Sequence, residues 1–165
     1  MTTRPINVLF LCTHNSARSI LAEAVLNQIG QGRFKAYSAG SSPRGHQQPH
    51  PLALQVLQGA GFSLEGLRSK NWDEFAAAHA PPMDLIITVC DNAAGETCPV
   101  WPGHPATAHW GYPDPSQVEG DEEKRRQAFH ATLVAMRRRL DLLVNLSASK
   151  LDRLVLQSTA RGLAA

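Results

Sequence analysis

A cysteine closes the apolar run INVLFLC at residues 6–12, and an arginine follows six positions later, at Arg18. Thr13, His14, Asn15, Ser16 and Ala17 lie between them, and a helical pattern begins directly afterwards. A loop that opens a helix offers several unpaired backbone N–H groups. Together with the helix dipole they favour an anion. The same field favours a thiolate, so Cys12 is expected to be a nucleophile ionised to a large extent near neutrality. Arg18 adds a forked, permanent positive charge that suits a tetrahedral oxyanion. Ser16 and Ala17 are small enough for the backbone to curl round such a guest. His14 and Asn15 tolerate left-handed backbone better than most residues. The loop is not a nucleotide-binding P-loop, because the Gly-Lys-Ser/Thr element is missing.

The flanking segments must position this loop. INVLFLC reads as a buried strand, and residues 16–30 as a helix with Ile20, Leu21, Ala24, Val25 and Ile29 at helical spacing. Ser16 or Ser19 is expected in its cap region, and Gly30 at its end. RFKAYSAG is a second strand, residues 51–61 a helix opened by Pro51, and residues 71–82 a short helix stopped by Pro81 and Pro82. MDLIITVC, residues 83–90, is a third strand and again ends on a cysteine, Cys90. A polar loop carrying Cys98 leads to a fourth strand at residues 106–112, and a long amphipathic helix spans residues 122–146. The alternation predicts an α/β fold with an open four-stranded parallel sheet and helices on both faces. In such sheets ligands bind beyond the carboxyl ends of the strands, where Cys12 and Cys90 both fall. One domain is expected over residues 1–146, followed by an amphipathic C-terminal extension over 147–165.

Bulk properties set the surroundings. The chain has 165 residues, a formal net charge of +2 and three cysteines. That length can bury a core without disulfides, and the small net charge disfavours a nucleic-acid-coating role. No membrane span or signal peptide is legible, so a cytoplasmic monomer is expected. An odd cysteine count in a reducing compartment argues for reactive or bystander thiols over a disulfide framework. Zinc is disfavoured: there is no Cys-x2-Cys pair, and His46 and His50 are the main spaced histidines. No metal is expected. The arginines of the last helix read as its solvated side, and Trp72, Trp101 and Trp110 as packing anchors.

Cys12-Thr-His-Asn-Ser-Ala-Arg18-Ser19 resembles the C-x5-R-[ST] signature of the low-molecular-weight protein tyrosine phosphatases and of the arsenate reductases built on that fold. Asp114-Pro115 resembles the family's general acid dipeptide. The resemblance runs from about Ile6 to Leu146. Cys90 and Cys98 match the two further thiols of the reductases, and "AHWGYPDP" is similar to their segment before the Asp-Pro. Ser116 and Gln117 stand where the phosphatases usually carry aromatics. The resemblance therefore implies an arsenate reductase, with a low-molecular-weight protein tyrosine phosphatase as the alternative. A redox- or oxyanion-sensing module is a third reading.

The resemblance implies roles as well. Cys12 attacks arsenate, held by Thr13, His14, Asn15, Ser16, Ala17 and Arg18. Asp114 protonates the leaving hydroxide, and Ser19 hydrogen-bonds Cys12. Cys90 resolves the adduct with release of arsenite, and Cys98 forms a Cys90–Cys98 disulfide. An external donor, thioredoxin or else glutathione with glutaredoxin, reduces it, and no cofactor is bound. Departures from the family pattern are His14 and Ala17, where glycine and cysteine are frequent. Some relatives bind potassium near the loop. Asn15, Glu23 and Ser38 match part of that site, but Arg68-Ser69-Lys70 sets basic residues against it.

Overall fold

The computed structural model describes residues 5–12, 15, 17–40, 48–76, 80–89, 106–146 and 150. Four parallel strands, β1 (Ile6–Cys12), β2 (Phe34–Gly40), β3 (Leu85–Thr88) and β4 (Ala106–His109), form one sheet in the order β2-β1-β3-β4. The helices are α1 (Arg18–Ile29), α2 (Pro51–Gly59), the single turn α3 (Asp73–Ala76) and α4 (Glu122–Val144). The expected sheet is thus present, with β1 central. Its side chains explain the uninterrupted apolar run: Val8, Phe10 and Cys12 join the core under α1, α2 and α4, whereas Leu9 and Leu11 join a second core with Ala39, Trp72, Phe75, Met83 and Ile86. A strand buried on both faces has no reason to alternate. The helical cover is unequal, because among the described residues only α3 lies with the second core.

Local chemistry sets the element ends. Asp121 caps α4 by accepting from the Lys124 N–H at 2.8 Å, and His50 caps α2 by accepting from the Leu52 N–H at 3.1 Å. Along α4, Phe129, Leu133, Met136, Leu140 and Leu143 are buried, which is the expected single apolar face. Gly30 ends α1 for reasons of space: a Cβ there would sit 2.7 Å from the Leu26 carbonyl oxygen and 3.0 Å from the Phe34 Cβ. Two strands are shorter than the sequence predicts. Regular β3 stops at Thr88, although the Val89 N–H still donates to the Leu11 carbonyl at 2.8 Å. Regular β4 stops at His109, where Gly111 and Pro113 follow, and proline has no N–H for a ladder. Helix α3 is described over Asp73–Ala76, and residues 77–79 of the expected helix lie outside the described set.

Candidate active site

The site begins at the carboxyl end of β1, where Cys12 is paired in register with Gly40 of β2. Cys12 is 3% exposed. Two donors converge on its Sγ: the Asn15 backbone N–H at 3.3 Å and the Ser19 hydroxyl at 3.3 Å. The Asn15 Nδ2 donates in turn to the Ser19 Oγ at 2.8 Å, which leaves the hydroxyl proton directed at sulfur. Donors aimed at a sulfur favour its anionic form. Ser19 is therefore no cap, contrary to one sequence expectation. It lies inside α1, and its hydroxyl serves Cys12. Ala17 precedes the helix with no side-chain cap, so among the described residues α1 lacks the side-chain acceptor that opens α2 and α4.

Asn15 holds a left-handed backbone, with φ of 54°. The position costs a non-glycine residue about 1–2 kcal/mol, so it must be held from several sides. The hold comes from the segment before α3, which sequence reasoning did not place in the site as a support. The Ser69 hydroxyl donates to the Asn15 carbonyl at 2.6 Å, and the Lys70 N–H donates to the Asn15 Oδ1 at 2.9 Å. This segment is itself pinned to the end of β2. The Gly40 N–H donates to the Lys70 carbonyl at 2.8 Å, and the Trp72 N–H to the Gly40 carbonyl at 2.9 Å.

Arg18 forms the other wall. Its Nη1 donates to the Tyr112 carbonyl at 2.9 Å, and its Nη2 lies 3.5 Å from the Asp114 Oδ2. The Arg18 Nε is buried and has no hydrogen-bond partner among the described residues. A buried donor in that condition is what a bound oxyanion would satisfy. Asp114 opens a 3-10 turn at Pro115–Gln117, and its Oδ1 accepts from both the Ser116 N–H at 2.9 Å and the Ser116 hydroxyl at 2.7 Å. One carboxylate oxygen is committed to Ser116, and the other faces Arg18. Asp-Pro thus gives both a cap and a site residue, and Tyr112 and Ser116 complete a wall that the sequence motif alone did not include. His50 packs on Phe129 with ring centroids 4.7 Å apart. Its burial, helped by Arg125 and opposed by Asp114, holds its pKa below the usual 6.5. A neutral ring suits its acceptor role at the start of α2.

A further buried pair lies behind the loop. The Lys70 ammonium donates to the Arg68 carbonyl at 2.7 Å and stands 3.8 Å from the Glu23 Oε1, which also accepts from the Ser38 hydroxyl at 2.5 Å. Burial raises Glu23 above its usual 4.5, against the pull of Lys70 and Ser38, and lowers Lys70 below 10.5, against the pull of Glu23. The Arg68 guanidinium points the other way and pairs with Glu74. A resident potassium ion beside Glu23 would meet the Lys70 ammonium, so these residues do not fit such an ion. Among the described residues, no group of three histidine, cysteine or acidic side chains could hold a metal.

The structure therefore brings Asn15 and Ser19 to Cys12 and brings Asp114 to Arg18, the residue before Ser19, with Ala17 at the loop end. Thr13, His14, Ser16, Cys90 and Cys98 lie outside the described residues, as does His46. His109 is exposed, and its Nδ1 lies 2.6 Å from the Thr88 hydroxyl.

Comparison with known proteins gives a consistent result. The chain matches the family described as low molecular weight phosphotyrosine protein phosphatase over residues 7–157. It is similar to an arsenate reductase of Bacillus subtilis, with 34% identity over 122 residues, covering 74% of this chain and 83% of the relative. Among solved structures it resembles a low molecular weight phosphotyrosine phosphatase of Vibrio cholerae, with a TM-score of 0.67, 24% identity, and coverage of 85% of this chain and 95% of that one. It also resembles a thioredoxin-dependent arsenate reductase of Corynebacterium glutamicum, with a TM-score of 0.54, 22% identity, and coverage of 86% and 65%. These two structural likenesses speak to the fold alone, which phosphatases and reductases share.

Proposed function

This chain belongs to the low molecular weight phosphotyrosine protein phosphatase family, and from that premise we propose that it is an arsenate reductase working by a relay of three thiols. The observation that carries the reading is the convergence of the Asn15 N–H and the Ser19 hydroxyl on Cys12 Sγ, with the Arg18 that precedes Ser19 paired to Asp114. A thiol so placed is a nucleophile for a tetrahedral oxyanion, and arsenate has that shape and charge. Cys12 thiolate attacks arsenic, and one arsenic–oxygen bond breaks. Asp114 gives its proton to the departing hydroxide, which leaves as water. Arg18 and the loop N–H groups at residues 13–17 hold the developing charge. Cys90 thiolate then attacks the Cys12 sulfur. The sulfur–arsenic pair of electrons passes to arsenic, arsenate is reduced to arsenite, and a Cys12–Cys90 disulfide remains. Cys98 thiolate attacks Cys90, releases Cys12 thiolate, and leaves Cys90–Cys98 for an external dithiol.

Support for reduction over hydrolysis comes from the Bacillus subtilis relative and from the presence of Cys90 and Cys98. Thioredoxin is the proposed donor, because a Cys90–Cys98 disulfide calls for an external dithiol, with glutathione and glutaredoxin as the alternative couple. A cytoplasmic setting would keep these thiols reduced. Weak aryl-phosphate hydrolysis is expected too, since Cys12, Arg18 and Asp114 serve either oxyanion. The test is arsenite production with thioredoxin, thioredoxin reductase and NADPH, for wild type beside Cys90→Ser and Cys98→Ser. Multiple turnover in wild type, with Cys98→Ser stopping after about one arsenite per protein, as the order of disulfide exchange requires, is the expected result. No turnover with either donor couple, beside phosphotyrosine hydrolysis that survives both substitutions, would transfer the assignment to a phosphatase.

A further inference from the structure

We propose that Lys70 is a positioning residue for the Cys12 thiolate: its buried ammonium is a built-in cation that holds the segment 68–70 against Asn15 and so keeps both donors on the sulfur. Lys70 is fixed at every point of attachment. Its N–H donates to the Asn15 Oδ1, its carbonyl accepts from the Gly40 N–H, and its Nζ donates to the Arg68 carbonyl beside Glu23. Glu23 lies four residues beyond Ser19 on α1, and therefore on the same helix face. Its Oε1 also takes the Ser38 hydroxyl of β2. One ammonium thus ties α1, β2 and the segment before α3 together behind the loop.

A lysine–glutamate pair at this depth is a poor source of stability. Desolvation offsets much of the attraction, and apolar residues of like volume would serve as well. The pair does supply geometry. An ammonium has donors only and needs acceptors around it, so its position is set by the Arg68 carbonyl and the Glu23 carboxylate. Through Ser69 and Lys70 that position is passed to Asn15, whose backbone at a φ of 54° these partners hold in place. Asn15 N–H reaches Sγ directly, and Asn15 Nδ2 orients the Ser19 hydroxyl toward it. The route from ammonium to thiolate is an unbroken chain of contacts.

The proposal rests on Cys12 being the nucleophile and not on the identity of the oxyanion, so its test needs neither arsenate nor a thiol donor. In a Cys90→Ser/Cys98→Ser background, iodoacetamide alkylation of Cys12 is followed by mass spectrometry across pH, beside thermal melting. Lys70→Met removes the ammonium. Lys70→Met/Glu23→Gln removes both charges, leaves neither member of the pair buried without its partner, and cancels the change in net charge; the melting curves check that it is folded. Both variants should raise the alkylation midpoint by about one pH unit, which slows alkylation about tenfold below the midpoint. A shift that persists in the double variant identifies positioning, because the through-space charge has been cancelled. An unshifted midpoint in the double variant would overturn the proposal, whatever happens to its melting temperature.

Discussion

The two sides of the nucleophile are built on different principles. Behind Cys12, Asn15 engages all of its polar groups, and Ser19, Ser69, Lys70, Glu23 and Ser38 meet one another at short range in the interior. In front of it, Arg18 keeps a buried Nε without a partner among the described residues, and Asp114 keeps one oxygen 3.5 Å from that arginine. The rear is saturated and therefore rigid. The front retains hydrogen-bonding capacity, which is what a charged guest needs. The contrast teaches where stability and turnover should separate: the rear should carry both, the front mainly turnover.

The largest expected effect lies at the front. Arg18→Ala should lower kcat/KM for arsenate reduction by about 100- to 1,000-fold, the usual loss for one oxyanion donor, while thermal melting shifts little. A large drop in melting temperature would break the separation. Asp114→Asn should lower turnover by about 100-fold or more in steady-state kinetics, as loss of a general acid does. At the rear, Asn15→Ala should cost about 2–4 kcal/mol in denaturant unfolding, from two buried hydrogen bonds and a left-handed position that alanine resists, and should slow turnover as well. Phe10→Ala, fully buried beneath the site, is the comparison for pure packing, with an expected loss of about 3–5 kcal/mol.

A smaller effect concerns pH. Burial raises Glu23 above 4.5 in the folded protein, so the folded state binds more protons than the unfolded state in the window just above that value. Stability contributed by this group is complete below 4.5 and falls as pH rises through its folded value. Glu23→Gln should remove that component, which chemical denaturation at a series of pH values would show as a shallower fall. An unchanged slope would mean that the rear is less strongly desolvated than its burial indicates.

Much of this was legible before any coordinates. INVLFLC reads as a buried strand, because a run apolar on both faces is buried on both faces; its central place in the sheet came from the structure. The spacing of Cys12 and Arg18 round a strand-to-helix turn placed an anion loop, because backbone N–H groups and a helix dipole act locally. The apolar face of α4 followed from its period. These are short-range properties of chain and side chain, whereas Asp114-Pro115 was legible only through the resemblance to the family.

Tertiary structure decided the rest. That Ser19 faces the Cys12 sulfur was implied by the resemblance, but no local rule takes it out of the cap. Ser69 and Lys70 sit more than fifty residues from Asn15, and only the parallel pairing of segment 70–72 with the end of β2 brings them to it. Arg68 and Lys70 read alike in sequence as basic neighbours. The fold sends the guanidinium to Glu74 and the ammonium to Glu23. The nucleophile and its arginine were fixed by local spacing; the geometry of their support depends on contacts between segments that meet only when the sheet closes its register.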